Sequence, residues 1–547
     1  MLSLPARIEA SARRGGVVTF VGSDEPVRVP WAQLHDDARA MAANMQSRGV
    51  EAGDHVAILG PTSRLLVTAI EAVWLAGATI VVMPIPMRMG AIDDFIAATR
   101  RRLRRADVAL FVIDPDLAPF IEPAPGDPPI VGLDELAASA RGDELVRPTD
   151  DLDRLAILQF TSGSTADPKG VALPHRAVGS NLDAIATTAQ LDPDDDVLVS
   201  WLPLYHDMGL VGLLTLSMTT GTDLVLGAPQ DFMAAPLRWM EWLSTYGGTA
   251  TAGPNFAWVL ATRSLRRASN LDLSRLRIAL NGAEPVDPDT VEAFVAAAGE
   301  HGMRPGAIFP AFGMAEVAIA GTFPTPMSGL RTDTVDLKVL ESERYAAPSE
   351  DDGPHARRLT RLGRPVPGLE MRIVDPVGGQ QLAEREVGEL EIRGTSVCSG
   401  YYNDPAATAE LFHDGWLRTG DLAYSVDGEL VMCGRIKDVI IVGGRNVFPE
   451  DIERAVSDVE GVRPGNVIAF GVDGRSGKEA IVVVAETKLT DTSQMHGVIN
   501  ERVRQAVGMP AKDIVLVTAG SLPKTSSGKL QRSLCRERYL GVRLERV

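Results

Sequence analysis

The chain of 547 residues is 45% hydrophobic and 23% charged, a balance that excludes a disordered protein and leaves ample apolar material for several cores. A formal charge of −18 and a pI near 5.0 exclude a broad basic face for nucleic acid or another polyanion. Three scattered cysteines and eight dispersed histidines, with no H-x-x-x-H or H-E-x-x-H spacing, argue against a disulfide framework or a zinc centre and lead us to expect a reduced, cytoplasmic setting.

The sequence opens without a charged stretch leading into an apolar one, so neither a secretion signal nor a membrane anchor is expected. Helical periodicity over residues 31–47 and 63–75 alternates with short apolar runs at 56–59 and 79–83, the rhythm of βαβ units. The longest apolar stretch, 72–87, contains Gly77, Thr79, Pro84 and Pro86 and falls short of the about 20 residues of a bilayer span. It reads as helix, turn and strand. Five arginines around Leu103 at 100–105 read as the basic last turn of a helix, answering its dipole.

An apolar strand is predicted over 155–160, and a run of small hydroxylic residues follows it: Thr161, Ser162, Gly163, Ser164 and Thr165, then Lys169 and Gly170. Small residues let backbone N–H groups approach phosphate oxygens, the hydroxyls add donors and Lys169 adds charge. The spacing is not G-x-x-x-x-G-K-[ST], which disfavours a kinase or GTPase loop. A polar turn is the alternative reading of this run.

Further strands are expected at 197–202, 223–226, 277–280 and 307–309, with helices near 236–246, 255–267 and 287–299. A large α/β body with parallel sheet is the natural class. Residues 329–362 are rich in charge, carry Pro348, Gly353 and Pro354, and show little periodicity, as an insertion or an exposed connection would. From 369 to 434 short alternating runs at 370–374, 388–393 and 429–433 suggest a small β-rich subdomain. After Gly434 the pattern restarts as strand, Gly443-Gly444 turn and helix. We therefore expect an N-terminal body over 1–434 and a small α+β C-terminal domain over 435–547.

Six segments in this order resemble the adenylate-forming superfamily of acyl-CoA synthetases, luciferases and nonribosomal adenylation domains. They are the run at 161–170, WLPLYHDMG at 201–209, NGAEPV at 281–286, AFGMAE at 311–316, WLRTGDLAY at 416–424 with GRIKDVIIVGGRNVFPEDIE at 434–453, and LPKTSSGKLQR at 522–532. Six collinear matches are hard to produce by chance. Within the superfamily, WLPLYHDMGL, NGAEPV, GMAE and the charged insertion look most like fatty acyl-AMP ligases.

The resemblance implies roles. ATP and Mg²⁺ are the implied cofactors, the metal held by Glu316. Gly282, Ala283 and Glu284 would form one wall of the adenine site, with Phe312, Gly313 and Met314 opposite; Phe in place of the more common Tyr keeps stacking and drops a hydroxyl. Asp421 would accept both ribose hydroxyls, with Arg435 on the ribose or a phosphate. Lys529, preferred over Lys524 through its G-K-[LI] context, would counter charge on the carboxylate and the α-phosphate. Lys437 would be the hinge of a mobile C-terminal domain, and His206 the gate of an acyl tunnel. For each residue a plain structural role is the alternative: a turn aspartate, a surface ion pair, a solvated lysine, a satisfied histidine.

An apolar channel is expected from Phe232, Met233 and Phe256, against core packing as the competing reading. The implied reaction joins a fatty acid to AMP and passes the acyl group to the phosphopantetheine thiol of an acyl carrier protein. The insertion at 329–362 lies where such ligases carry one associated with poor use of coenzyme A. Arg532, Arg536, Arg538, Arg543 and Arg546 form a basic tail that could meet an acidic carrier or simply be solvated. An acyl-CoA synthetase, an amino-acid-activating domain and a catalytically inactive nucleotide-binding protein are the other readings.

Overall fold

A computed structural model describes residues 1–22, 25–85, 92–138, 144–161, 168–351, 353, 355–474, 479–489, 491–525 and 529–547. Two sheets dominate the first 310 residues. One orders its strands Ile308–Pro310, Ile278–Asn281, Ala250–Gly253, Val197–Ser200, Asp223–Gly227, Val17–Val21 and Val27–Pro30, parallel except for the last pair. The other runs Ile130–Gly132, Val108–Ile113, His55–Leu59, Thr79–Val82, Leu155–Phe160 and Gly170–Pro174, again parallel but for the final hairpin. His55–Leu59, Thr79–Val82 and Gly170–Pro174 are buried along their whole length, as strands with covered faces must be. The fold class is therefore mixed α/β, as the sequence rhythm implies.

The helix predicted at 31–47 is Trp31–Ser47, and the one at 63–75 is Arg64–Leu75, with Ser63 as N-cap accepting from the Leu66 amide at 3.2 Å. The arginine-rich helix Ile92–Arg105 carries Arg102, Arg104 and Arg105 in its last turn. Arg100 and Arg105 also pair with Asp127 and Asp404, which ties this helix to the rest of the fold. No helix among the described residues is long and apolar enough to cross a membrane.

Strands Leu369–Val374, Gly388–Gly394, Trp416–Val426 and Phe412–His413 form an antiparallel half-barrel, extended by Glu429–Arg435. Beyond it, Val462–Asp473, Glu479–Thr487 and Asp513–Thr518 make a three-stranded sheet with helices Pro449–Ser457, Met495–Val507 and Arg532–Leu540. This region has its own apolar cores around Ile452, Ile499 and Val483, and Phe470 and Val515.

The charged segment at 329–362 is not an exposed connection. Thr332–Asp336 pairs with Ala356–Thr360 around the helix Leu337–Glu343, whose N-cap Asp336 accepts from the amides of Lys338 and Val339. Val335, Leu337, Leu340 and Ala346 share one buried cluster with Leu422, Tyr424, Cys433 and Phe448. Its charges, which hide the periodicity, are answered by partners far along the chain: Asp333 by Arg385 and the Tyr424 hydroxyl, Glu341 by Arg445, Arg357 by Asp451. Of the tail arginines, Arg532 is bound to Asp438, Glu450 and Glu453, Arg536 donates to the Gly471 carbonyl, and Arg543 and Arg546 pair with Glu537 and Asp513 while staying more than half exposed.

Candidate active site

The strand Leu155–Phe160 delivers the hydroxylic run. Its Gln159 side chain donates to the Tyr205 carbonyl at 2.9 Å, tying the strand to the loop that carries His206. The Thr161 amide donates to the Lys169 carbonyl at 3.0 Å and closes the mouth of the hairpin. Ser162, Gly163, Ser164 and Thr165 lie outside the described residues. Lys169 Nζ stands 4.6 Å from the centre of the Tyr401 ring.

Two loops approach each other at the next sheet's carboxyl edge. After Ile278–Asn281 come Gly282, Ala283 at φ +69° and Glu284; a Cβ on Gly282 would lie 3.0 Å from the Ala311 carbonyl. Phe312-Gly313 pairs with Ala320–Phe323, and a Cβ on Gly313 would collide with the Ile319 carbonyl, so only glycine fits there. The Met314 amide donates to the same Ile319 carbonyl at 3.0 Å, and a single helical turn, Ala315–Val317, presents Glu316.

Glu316 is buried and accepts from the Tyr401 hydroxyl at 2.9 Å. Burial raises its pKa, opposed by its own amide and by the phenol. A buried carboxylate whose nearest bonded partner is a neutral phenol suits a cation. Among the described residues no three His, Cys, Asp or Glu side chains gather to hold a metal by themselves, so Mg²⁺ there would draw its other oxygens from phosphates and water.

Asp421 and Arg435 are register partners on adjacent half-barrel strands, and Arg435 Nε donates to Asp421 Oδ1 at 2.8 Å. Burial raises the pKa of Asp421, with Arg435 and Lys437 opposing it. Lys437 follows on the one-turn helix Ile436–Asp438, exposed, where the chain leaves the half-barrel.

Lys529 comes from the far end of the chain yet lies within electrostatic reach of Asp207 and Glu284. Burial lowers its pKa while those two carboxylates raise it. His206 Nδ1 is 2.6 Å from Asp207 Oδ1. Burial works against ionisation of Asp207, but His206, Lys529 and the Met208 amide outweigh it and hold the carboxyl below its ordinary range. Glu284 accepts from the Phe256 amide at 2.6 Å. Sequence reasoning gave Asp207 no role and passed over Tyr401. Asp207 stood next to His206 in the motif; for Tyr401 only the first tyrosine of a Gly-Tyr-Tyr run was visible.

The three acyl-channel candidates separate. Phe232 is fully buried and stacks on Trp201 with centroids 3.8 Å apart, its edge against Trp239 at 5.7 Å. Met233, one residue on along a helix, is 52% exposed, because consecutive helical residues point about 100° apart. Phe256 alone of the three is partly buried beside a site residue, Glu284. The three cysteines are buried, each thiol pushed up to about 12 by burial, and none takes part.

This geometry has counterparts. The model for the AMP-binding enzyme family matches residues 8–402. A putative ligase of Mycobacterium tuberculosis is 39% identical over 93% of this chain and 94% of its own. A putative acyl-CoA synthetase of Caulobacter vibrioides is 33% identical (94% and 90%), and a medium-chain-fatty-acid–[acyl-carrier-protein] ligase of Moorena producens 32% (97% and 93%). A solved structure from a study of fatty acyl-adenylate ligases of E. coli and L. pneumophila superposes with a TM-score of 0.92 at 32% identity, covering 99% of this chain and 98% of that one. The chain belongs to the AMP-binding enzymes, the adenylate-forming superfamily of ATP-dependent ligases.

Proposed function

We propose that this ligase activates a fatty acid as its acyl-adenylate and passes the acyl group to a carrier-protein thiol. The observation that supports the reading is that Lys529, from the C-terminal region, lies within electrostatic reach of both Asp207 and Glu284. In the first step a fatty carboxylate oxygen bonds to the α-phosphorus of ATP and the α–β bridging bond breaks, releasing pyrophosphate. Two anions must meet, so the cation of Lys529 offsets their repulsion as charge builds. Asp421 takes the ribose hydroxyls and Phe312 one face of the adenine. Glu316 would hold Mg²⁺, which when bound supplies further charge neutralisation at the phosphates. Buried Trp201 meets Phe256 edge-on with centroids 6.4 Å apart and is backed by Phe232, which makes this side of the site apolar and suits an alkyl tail better than a zwitterion.

In the second step the thiol sulfur bonds to the acyl carbon and AMP leaves. Lys529 must withdraw to admit the thiol, and Lys437 is the proposed pivot for residues 435–547. The fatty acid and carrier named for the Moorena relative are consistent with this acceptor. Incubation with fatty acid, Mg-ATP and either coenzyme A or a phosphopantetheinylated carrier protein, followed by mass analysis, tests it. Carrier-bound acyl product is expected. Abundant acyl-CoA would replace the carrier by coenzyme A, and no fatty-acid-dependent pyrophosphate would remove the reading altogether.

Two expectations follow for the first step. Asp421→Asn should raise the KM for ATP about tenfold, the loss of a charge-assisted contact to the ribose, with a smaller change in the fatty-acid KM. An unchanged ATP KM would free Asp421 from that role. Because burial, aided by Arg435, favours the neutral amine of Lys529, pyrophosphate release should decline with rising pH before the ordinary lysine range of 10.5 is reached. Lys529→Arg, slower but always charged, should lose that alkaline limb. An identical limb in the variant would assign it to another group.

A further inference from the structure

We propose that Tyr401 is a positioning residue that couples the phosphate loop to the metal-binding carboxylate: its hydroxyl fixes Glu316 and its ring seats Lys169. The assignment rests on the proposed function, since it concerns the same nucleotide site. Its two side-chain contacts face different halves of that site, the hydroxyl 2.9 Å from Glu316 Oε1 and the ring centre 4.6 Å from Lys169 Nζ.

The backbone holds both contacts in place. Residues 398–402 thread between the strand that leaves the phosphate loop and the turn that presents Glu316. The Cys398 amide donates to the Glu316 carbonyl at 2.8 Å, the Ser399 amide to Ala172 at 3.0 Å, the Ala172 amide to Gly400 at 3.0 Å, and the Tyr402 amide to Gly170 at 2.8 Å. Gly400 sits at φ +125°, where a Cβ would also strike the Thr408 methyl, so the sharp turn into Tyr401 requires glycine. Thr408 Oγ1 then accepts the Tyr401 amide at 2.9 Å. Lys169, Gly170 and Ala172 are thus linked through one short segment to the turn that carries the carboxylate, and the phenol is the only side chain of that segment bonded to it among the described residues.

A phenol has one proton to donate and spends it on one carboxylate oxygen, so it orients Glu316 while leaving acceptor capacity for a cation. Tyr401→Phe removes that donor and keeps the ring. Tyr401→Leu removes the ring as well. The test is calorimetric binding of ATP to the full-length protein, without fatty acid, across a Mg²⁺ series and in chelator, beside thermal unfolding of each variant. Tyr401→Phe should raise the Mg²⁺ concentration for half-maximal effect about tenfold, as expected for a lost hydrogen bond to a charged group, with metal-free ATP affinity within about twofold of the parent. Tyr401→Leu should in addition weaken metal-free ATP binding roughly threefold, through Lys169. In a Glu316→Gln background the Phe substitution should have little further effect. A Tyr401→Phe protein with the parental Mg²⁺ dependence overturns the assignment. So does a parallel loss of metal-free and Mg²⁺-dependent binding accompanied by a lowered Tm, which makes the residue merely structural. A parent protein that shows no Mg²⁺-dependent ATP binding overturns the proposed function itself, and the assignment with it.

Discussion

Lys529→Ala is expected to lower fatty-acid-dependent pyrophosphate release by about 10²–10³-fold, the scale of removing a group that stabilises charge only as it develops. The loop itself should survive the change. The Thr525 amide donates to the Lys529 carbonyl at 2.8 Å and Thr525 Oγ1 accepts the Lys529 amide at 3.1 Å, contacts that hold Lys529 against Thr525 without using the lysine side chain. Removing a cation whose burial opposes its charge also relieves a desolvation cost, which offsets the partnership lost by Asp207 and Glu284. The Tm should therefore move by no more than a few degrees. Supplying preformed acyl-adenylate and the thiol acceptor bypasses the first step, and the variant should transfer at close to the parental rate. A loss of less than about tenfold in pyrophosphate release, with transfer intact, would show that Lys529 does not carry the developing charge. Equal loss in both half-reactions would point to a general defect in docking.

Much of the fold was legible because its strands and helices are local patterns. Trp31–Ser47 and Leu155–Phe160 carry their own periodicity and begin and end where it does. The strand expected at 197–202 stops at Ser200, because Trp201 to Pro203 already turn the chain toward His206. Candidate site residues that stand in compact motifs could be proposed for the same reason: Glu316, Asp421 and Lys529 each lie in a short run that includes small residues. What sequence could not carry were pairings across long separations. Tyr401 meets Glu316 over 85 positions, and Asp333 meets Tyr424 over 91. In the segment at 329–362 this matters most, since its charges are unreadable without their partners. Met233 faces outward while Phe232 is buried for a simpler cause, the 100° step of a helix, which composition does not register.

The same segment supplies the other large expected effect. Arg357, on the inserted hairpin, is buried; its Nε lies 2.9 Å from Asp451, one terminal nitrogen donates to the Cys433 carbonyl at 3.0 Å, and its guanidinium lies 4.6 Å from the Phe448 ring centre. Nearby, Arg445 binds Glu341 and Asn446 donates to the Glu341 carbonyl at 3.0 Å. These contacts fasten 445–451, at the start of the C-terminal region, to the insertion. Arg357→Leu should leave Asp451 buried with only the partly exposed Arg454, at 3.2 Å, to answer it. Breaking one side of a buried pair costs about 3–5 kcal/mol, most of it from the charge left behind. That is enough to undock residues 435–547 while their own cores stay folded. Hydrogen exchange over 445–457 should accelerate strongly, and pyrophosphate release should fall because Lys529 is no longer held at the site. If the fastening also restricts the acceptor, the acyl-CoA share of product should rise when coenzyme A is offered. Arg357→Leu combined with Asp451→Leu should recover part of the protection, since no unpaired charge then remains. Parental exchange rates in Arg357→Leu would mean that the insertion does not hold the C-terminal region. Faster exchange with an unchanged product ratio would confine its role to the first half-reaction, and the choice of thiol would then have to be made elsewhere on the protein.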